Sequence, residues 1–286
     1  KTKSMKISVS AASGVEAVTK RELYKLGYGD VPSIGGRMTF EGDEKAVGAC
    51  NLFLRTANRV FIELSSFKAK SFDDLFDGVS QIEWEKILPA DAKIDVVAKC
   101  VDSTIHAVSA TQSVCKKAIC ERLLKCYKAL GESGERYKIE VAINKDFAVV
   151  SLDTSGSGLH RRGYRGLVGE APLKETLAAA IILLSVWNPT RPFADLFCGS
   201  GTLPIEAAMI AKNIPAGGNR DFDFLHWQKF DSSSFLPLKQ EALKNIKDEK
   251  LQIAGFDIDE SQLKLARKHA ELAGVAGDIH FQKADV

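Results

Sequence analysis

At 286 residues, 45% hydrophobic and 27% charged, the chain has the composition of soluble globular protein and the length for two or three domains, each with its own core. A net charge of +2 does not mark the whole molecule as a nucleic-acid binder, so any such function must rest on local basic faces. None of the six cysteines (Cys50, Cys100, Cys115, Cys120, Cys126, Cys198) stands at C-x-x-C spacing, which argues against zinc or a redox pair and reads as reduced thiols in a cytoplasmic protein.

Residues 5–10 alternate as a strand. Ser13, three before Glu16, predicts a capping box opening a helix, with Val15, Val18, Leu23 and Leu26 on its apolar face and Gly27 as its stop. Residues 37–41 read as a further strand after the Gly35-Gly36 turn, so residues 1–44 form a small α+β unit. A second α+β stretch spans 45–155. Its segments 94–101 and 139–152 are rich in β-branched and apolar residues and read as strands. Between them the spacing predicts an amphipathic helix over about 108–130. Cys115, Ile119, Leu123, Cys126 and Leu130 lie along one side, with Lys116, Lys117, Arg122, Lys125 and Lys128 along the other. Residues 153–158 read as a turn or linker.

Residues 156–286 follow a third regime. A helix over 172–187 is apolar nearly all round, which predicts burial. A strand at 193–197 runs into Gly199-Ser200-Gly201, and a second apolar helix covers about 203–211. Residues 213–240 look irregular, and 251–257 alternate as a strand. Asp259 caps a helix to Ala273, with Gln262 at the capping-box position and Gly274 as the stop, before another strand at 279–282. Strands alternating with helices specify a parallel α/β sheet. The longest uncharged apolar stretch, 176–190, is shorter than the ~20 residues of a membrane span, and the polar N-terminus shows no signal peptide. His106 and His269 each stand alone, so no metal site is expected.

The most informative stretch is Asp195-Leu196-Phe197-Cys198-Gly199-Ser200-Gly201-Thr202: a strand end, a tight glycine turn and a helix start. Glycines permit the turn and let a ligand lie against bare backbone, and the helix start offers unpaired N–H groups. No Gly-Lys-Ser/Thr follows, which excludes a P-loop. A dinucleotide site wants a third glycine where Pro204 stands and an acid about 20 residues on; here Asp257 comes 56 residues after Gly201. S-adenosylmethionine fits better, having no pyrophosphate and a ribose diol that an acid at the end of the second strand can accept. Asp257 is placed for the ribose, Asp285 after a third strand for the adenine amino group, and Asp195 for the methionine ammonium. Taken singly, Asp195 and Asp257 read equally well as caps or loop salt bridges; their order along the chain is what points to a cofactor.

The stretch 195–209 resembles the D-P-F-C-G-S-G-T-x-x-I-E-A-A motif of Rossmann-like RNA methyltransferases, with Leu196 where that motif has proline. The preceding segments 159–165 and 171–180 resemble the lead-in of bacterial 23S rRNA guanine-N2 methyltransferases, and 255–259 their ribose-binding strand. In the front half, 109–124 is similar to the THUMP RNA-binding domain, and the opening unit to the ferredoxin-like domain that accompanies it. The resemblance implies a Rossmann-like methyltransferase domain (156–286) preceded by α+β ferredoxin-like (1–44) and THUMP (45–155) domains. It implies a cofactor pocket lined by Leu173, Lys174 and Thr176 as well as Asp195, Phe197, Cys198, Gly199, Ser200, Gly201, Thr202, Asp257, Ile258 and Asp285. The implied partner is RNA, ribosomal rather than transfer RNA. A tRNA substrate, or a non-catalytic RNA-binding module with a degenerate cofactor fold, are the competing readings.

The segment 160–165 places three arginines, a histidine and a tyrosine within six residues, between the two halves of the chain. Arginine forks bind phosphate and stack on bases, as tyrosine does, so Arg161, Arg162, Tyr164 and Arg165 are expected to touch RNA. Lys116 and Lys117 are expected to make backbone contacts from the THUMP-like helix. The family's Asn-Pro-Pro-Tyr segment, which holds the acceptor amine, is absent, and Asn188-Pro189 lies before the glycine loop. No catalytic residue is therefore assigned. With about three strands of a sheet that should have about seven, the sequence reads as lacking the C-terminal part of its methyltransferase domain. Such a half-sheet would be inactive and prone to aggregate.

Overall fold

A computed structural model describes residues 4–29, 31–165 and 173–285; Ala171 and Pro172 of the lead-in lie outside them. The front half comprises β1 (Met5–Ala11), α1 (Glu16–Lys25), β2 (Ser33–Ile34), β3 (Arg37–Gly42), α2 (Glu44–Phe53), β4 (Ala57–Lys68), α3 (Phe72–Ser80), β5 (Lys93–Val101), α4 (Val108–Leu124), β6 (Arg136–Asn144) and β7 (Phe147–Asp153). Its strands form one sheet in the order β2-β3-β1-β4-β7-β6-β5, with β5 and β6 parallel and every other pair antiparallel.

Strand β4 makes this sheet continuous. It pairs with β1 along one edge (Ile7↔Ile62) and with β7 along the other from Phe61 to Lys68 (Ile62↔Leu152, Phe67↔Ala148), with a register shift on the β7 side between Glu63 and Ser65. The sheet therefore runs straight through the boundary expected at residue 44. Its buried face, including Ile7, Val9, Val60, Ile139, Val141 and Val150, shares one core with Val47 and Leu52 of α2 and with Cys115 and Ile119 of α4. Polar side chains on alternate positions pair off instead, as in Lys6–Glu63 (2.7 Å), Arg59–Asp153 (2.5 Å) and Lys99–Glu140 (2.8 Å).

The back half comprises α5 (Glu175–Leu184), β8 (Phe193–Asp195), α6 (Thr202–Ala211), α7 (Phe235–Lys244), β9 (Ile253–Asp257), α8 (Glu260–Leu272) and β10 (Ile279–Lys283). Strands β8, β9 and β10 form a parallel sheet in the order β10-β9-β8. Asp259 caps α8 by accepting the Ser261 N–H at 2.7 Å.

Several sequence expectations need correction. Ser13 caps nothing: Val15 holds the N-cap of α1 and no side chain accepts there. Helix α4 stops at Leu124, where Cys126 N–H turns back to the Leu123 carbonyl, leaving Cys126 exposed. Helix α5 packs against α6 and α1 but leaves Leu177, Ile181 and Leu184 exposed along one side. Residues 154–156 are no loose linker. Thr154 and Ser155 are buried, bonded to Asn51 and Val60, and Arg220 donates to the carbonyls of Ser155, Ser157, Gly158 and Arg161. The stretch 213–240 contains a 3₁₀ turn at Asp223–His226 and the start of α7, and its aromatic residues enter the front core.

Candidate cofactor site at the glycine loop

Parallel register brings Asp195 opposite Gly255, and Lys283 opposite Asp257, so Asp195, Asp257 and the approach to Asp285 lie at the carboxyl ends of three adjacent strands. Open α/β sheets bind ligands in this position. The loop after β8 turns through Gly199 (φ +51°) and Gly201 (φ +84°), backbone angles that favour glycine. A Cβ on Gly201 would stand 2.9 Å from the Ala266 Cβ and 3.1 Å from the Phe281 ring, so glycine also lets α6 start against α8 and β10. Nothing lies within 4 Å of a Cβ built on Gly199, which leaves open space beside the loop.

Asp257 is fixed from both sides. Its Oδ2 accepts the Gly199 N–H at 2.8 Å and its Oδ1 the Asp259 N–H at 2.9 Å, leaving further acceptor capacity on each oxygen. Asp195 Oδ1 accepts the Phe197 N–H at 3.1 Å. Burial raises the Asp195 carboxyl pKa, the Phe197 N–H pulls it back, and the neighbouring Asp257 charge pushes it up further. Burial, then Asp195 and Asp257, push the Cys198 thiol up to about 12, so it is a neutral lining group at pH 7.

Among the described residues, neither Asp195 nor Asp257 has an ion-pair partner. Two neighbouring carboxylates without a cationic partner suit a cationic ligand and repel a pyrophosphate. S-adenosylmethionine, with its sulfonium and ammonium groups, matches that demand. Phe197, just after β8, and Ile258, just after β9, are exposed apolar side chains of the kind an apolar ring would need. Ser200 and Thr202 are buried, and Asp285 is exposed. At the start of α5, Lys174 is exposed at the N-cap, Leu173 is half-buried and Thr176 is buried. A cavity of about 670 Å³ lies in the front half, walled by Met5, Ile62, Leu152 and Trp227, and shares no residue with this loop.

The basic segment 160–165 departs from expectation. Arg161 is exposed, but Arg162 and Tyr164 are buried. Arg162 pairs with Glu206 at 3.3 Å and donates to the carbonyls of Leu159 and Arg55, while the Tyr164 hydroxyl donates to Glu206. Arg165 pairs with Glu175 (3.2 Å) and donates to the Leu173 carbonyl and the Thr202 hydroxyl, tying the start of α5 to the start of α6. Arg162 and Tyr164 are thus withdrawn from any RNA surface, and Arg165 braces the loop. The reason is that a buried carboxylate needs partners, and Glu206 and Glu175 sit in helices that bury them.

Glu206 and Glu175 were missed by sequence reasoning. The available signal was an acid inside the otherwise apolar helix that follows the glycine loop. Lys116 and Lys117 do lie on the outer side of α4, each with an acidic partner, Glu132 (2.6 Å) and Glu121 (3.7 Å).

A glycine loop with acids at successive strand ends, behind a composite α+β front half, defines a Rossmann-like methyltransferase joined to RNA-binding domains. Residues 6–61 match the RlmL ferredoxin-like domain, 69–153 the THUMP domain and 162–286 the RMKL-like methyltransferase domain. The chain belongs to the THUMP-containing, S-adenosylmethionine-dependent RNA methyltransferases. It is 43% identical over 282 residues to YpsC of Bacillus subtilis (strain 168), provisionally named an RNA methyltransferase, covering 97% of this chain and 73% of that one.

Two solved structures are similar throughout. A Listeria monocytogenes (str. 4b F2365) protein, provisionally designated an N6-adenine-specific DNA methylase, has a TM-score of 0.94 and 43% identity, over 99% of this chain and 75% of that one. SMU.472, determined in complex with SAH, has a TM-score of 0.93 and 40% identity, over 99% and 76%. The methyltransferase match extends to residue 286 and gives no support to the expectation that part of that domain is missing.

Proposed function

We infer that the protein transfers a methyl group from S-adenosylmethionine to the N2 of a guanine in 23S ribosomal RNA. The observation that carries this reading is the pairing of an acid-flanked glycine loop in an RMKL-like methyltransferase domain with a front domain of RlmL type. The likeness of 159–165 to the lead-in of 23S guanine-N2 enzymes supports the choice of base and RNA.

In this reading Asp257 takes the ribose hydroxyls, Asp195 the methionine ammonium and Asp285 the adenine amino group. Phe197 and Ile258 flank the adenine. Gly199, Ser200, Gly201 and Thr202 supply close backbone, with Cys198 behind them, and Leu173, Lys174 and Thr176 close the side toward α5. The cofactor, when bound, supplies an electrophilic methyl on a sulfonium. The protein's share is alignment and electrostatic fit. Arg161 and Lys174 are exposed and place positive charge near His160. Burial first, then those cations, lower the His160 imidazole pKa, a mark of local positive potential that suits phosphate. Lys116 and Lys117 serve as outer backbone contacts, and the cytoplasm suits an RNA-modifying enzyme with six unpaired cysteines.

The test is to incubate the full-length protein with methyl-labelled S-adenosylmethionine and 23S rRNA, bulk tRNA or duplex DNA, then identify the labelled nucleoside by mass spectrometry. Label in N2-methylguanosine from 23S rRNA is expected. Label in tRNA would transfer the reading to a tRNA enzyme, label in N6-methyladenine would reject guanine, and RNA binding without transfer would favour a non-catalytic module.

A further inference from the structure

About forty residues separate the end of α6 at Ala211 from the start of β9 at Ile253, where α/β units ordinarily need about 2–6. This segment leaves and returns at one point. The Lys247 N–H donates to the Lys212 carbonyl at 2.9 Å, and Lys212 is the C-cap of α6, whose other end is the glycine loop. Between those ends the chain crosses onto the front half and holds it at successive points. Gly217 N–H donates to the Leu52 carbonyl at 2.8 Å, an approach so close that a Cβ there would meet the Asn51 carbonyl oxygen at 2.6 Å. Phe222, Phe224 and Phe235 enter the front core. Trp227 stacks on Tyr137 of β6 (centroids 5.2 Å apart) and donates to the Arg136 carbonyl at 2.9 Å. At the far end, Lys229 Nζ donates to the carbonyls of Glu85 and Leu88 and to the Tyr127 hydroxyl.

We propose that residues 213–246 are a strap that fixes the position of the RNA-binding half relative to the glycine loop, with Trp227 and Lys229 as its positioning residues. Only packing between domains would be needed for stability. A segment that starts at the helix carrying the cofactor loop, reaches Glu85, Leu88 and Tyr127 within the THUMP match and returns to its own base also sets a distance. Methyl transfer demands that distance, because donor and acceptor are held by different halves of the molecule and a misplacement of about 1 Å can cost ~10²-fold in rate. The kinetic part of the proposal rests on the RNA methyltransferase reading above; the mechanical part does not.

The experiment compares full-length wild type with Lys229→Met, Lys229→Arg and the double variant Trp227→Phe/Lys229→Met, which keeps an aromatic ring against Tyr137. Spin labels at the exposed positions Lys128 and Lys268 report the distance between the halves. Calorimetry reports S-adenosylmethionine affinity, and 23S rRNA is the methyl acceptor. The proposal expects a broadened label-to-label distribution in the two Met variants, unchanged cofactor affinity, little change in KM for RNA and a kcat lowered by about 10–100-fold. Lys229→Arg, which keeps the donors, should restore both distance and kcat. An unchanged distribution, or a broadened one with kcat retained, would overturn it. A wild type inactive on that RNA would instead reject the substrate reading, and the distance distribution would still decide whether the strap fixes the two halves.

Discussion

The Arg162 guanidinium meets the Glu206 carboxylate at 3.3 Å with side-chain exposures of 1% and 0%, and the Tyr164 hydroxyl donates to the same carboxylate. Glu206 lies on the helix that begins at the glycine loop, and Arg162 also bonds the Arg55 carbonyl of the front half, so the pair joins the cofactor loop to the RNA-binding domains. Removing one partner strands a charge in a dry interior. Glu206→Ala is therefore expected to destabilise the protein by about 3–5 kcal/mol, whereas Arg162→Met with Glu206→Leu recovers much of that loss. Urea unfolding checks this. A Glu206→Ala cost below about 1 kcal/mol would show that water reaches the pair.

A second expectation concerns acid. Two hydrogen bonds from the Arg122 guanidinium, at 3.0 and 2.6 Å, hold the Glu85 carboxyl down at about 2, against a usual value of 4.5. A depressed carboxylate contributes stability that is complete above the usual value and lost as pH falls through about 2. Arg122→Met should therefore be less stable than wild type above pH 4.5, with the difference shrinking to nothing as pH falls to about 2, followed by urea unfolding at a series of pH values. Equal stabilities at every pH would mean the pair contributes nothing to stability.

The parts of this molecule legible in its sequence are those whose partners are near in the chain. The loop 195–202, its flanking strands and the acid at 257 were readable because a turn, a helix start and a strand end are each set by a few neighbouring residues. The strap was not, since Trp227 and Lys229 find Tyr137, Glu85 and Leu88 far earlier in the sequence and show no local period. Arg162 failed for the opposite reason. A run of charges ordinarily marks a surface, and only the fold brings Glu206 beneath it. The apolar run of α5 predicted full burial, yet Leu177, Ile181 and Leu184 remain exposed.

A third expectation separates the basic residues. Arg161 is exposed on the segment between the halves, whereas Lys116 already pairs with Glu132 at 2.6 Å. Replacing a residue that neutralises an RNA phosphate lowers the salt dependence of binding by about 0.7–0.9 per contact. Arg161→Ala should show that loss in binding measured across a potassium chloride series, and Lys116→Ala a smaller one. The reverse order would move the RNA path onto α4.

The most direct test of the cofactor site is calorimetric titration of the full-length protein with S-adenosylmethionine, beside an Asp257→Ala variant. Asp257 is held by the Gly199 and Asp259 N–H groups with acceptor capacity to spare. Loss of one charge-assisted hydrogen bond to the ribose should cost about 1.5–3 kcal/mol, or roughly ten- to a hundredfold in affinity. Weakening on that scale, with the variant still folded, is the predicted result. Equal affinity in the folded variant, or no binding by wild type, would contradict the assignment of this loop as the methyl-donor site.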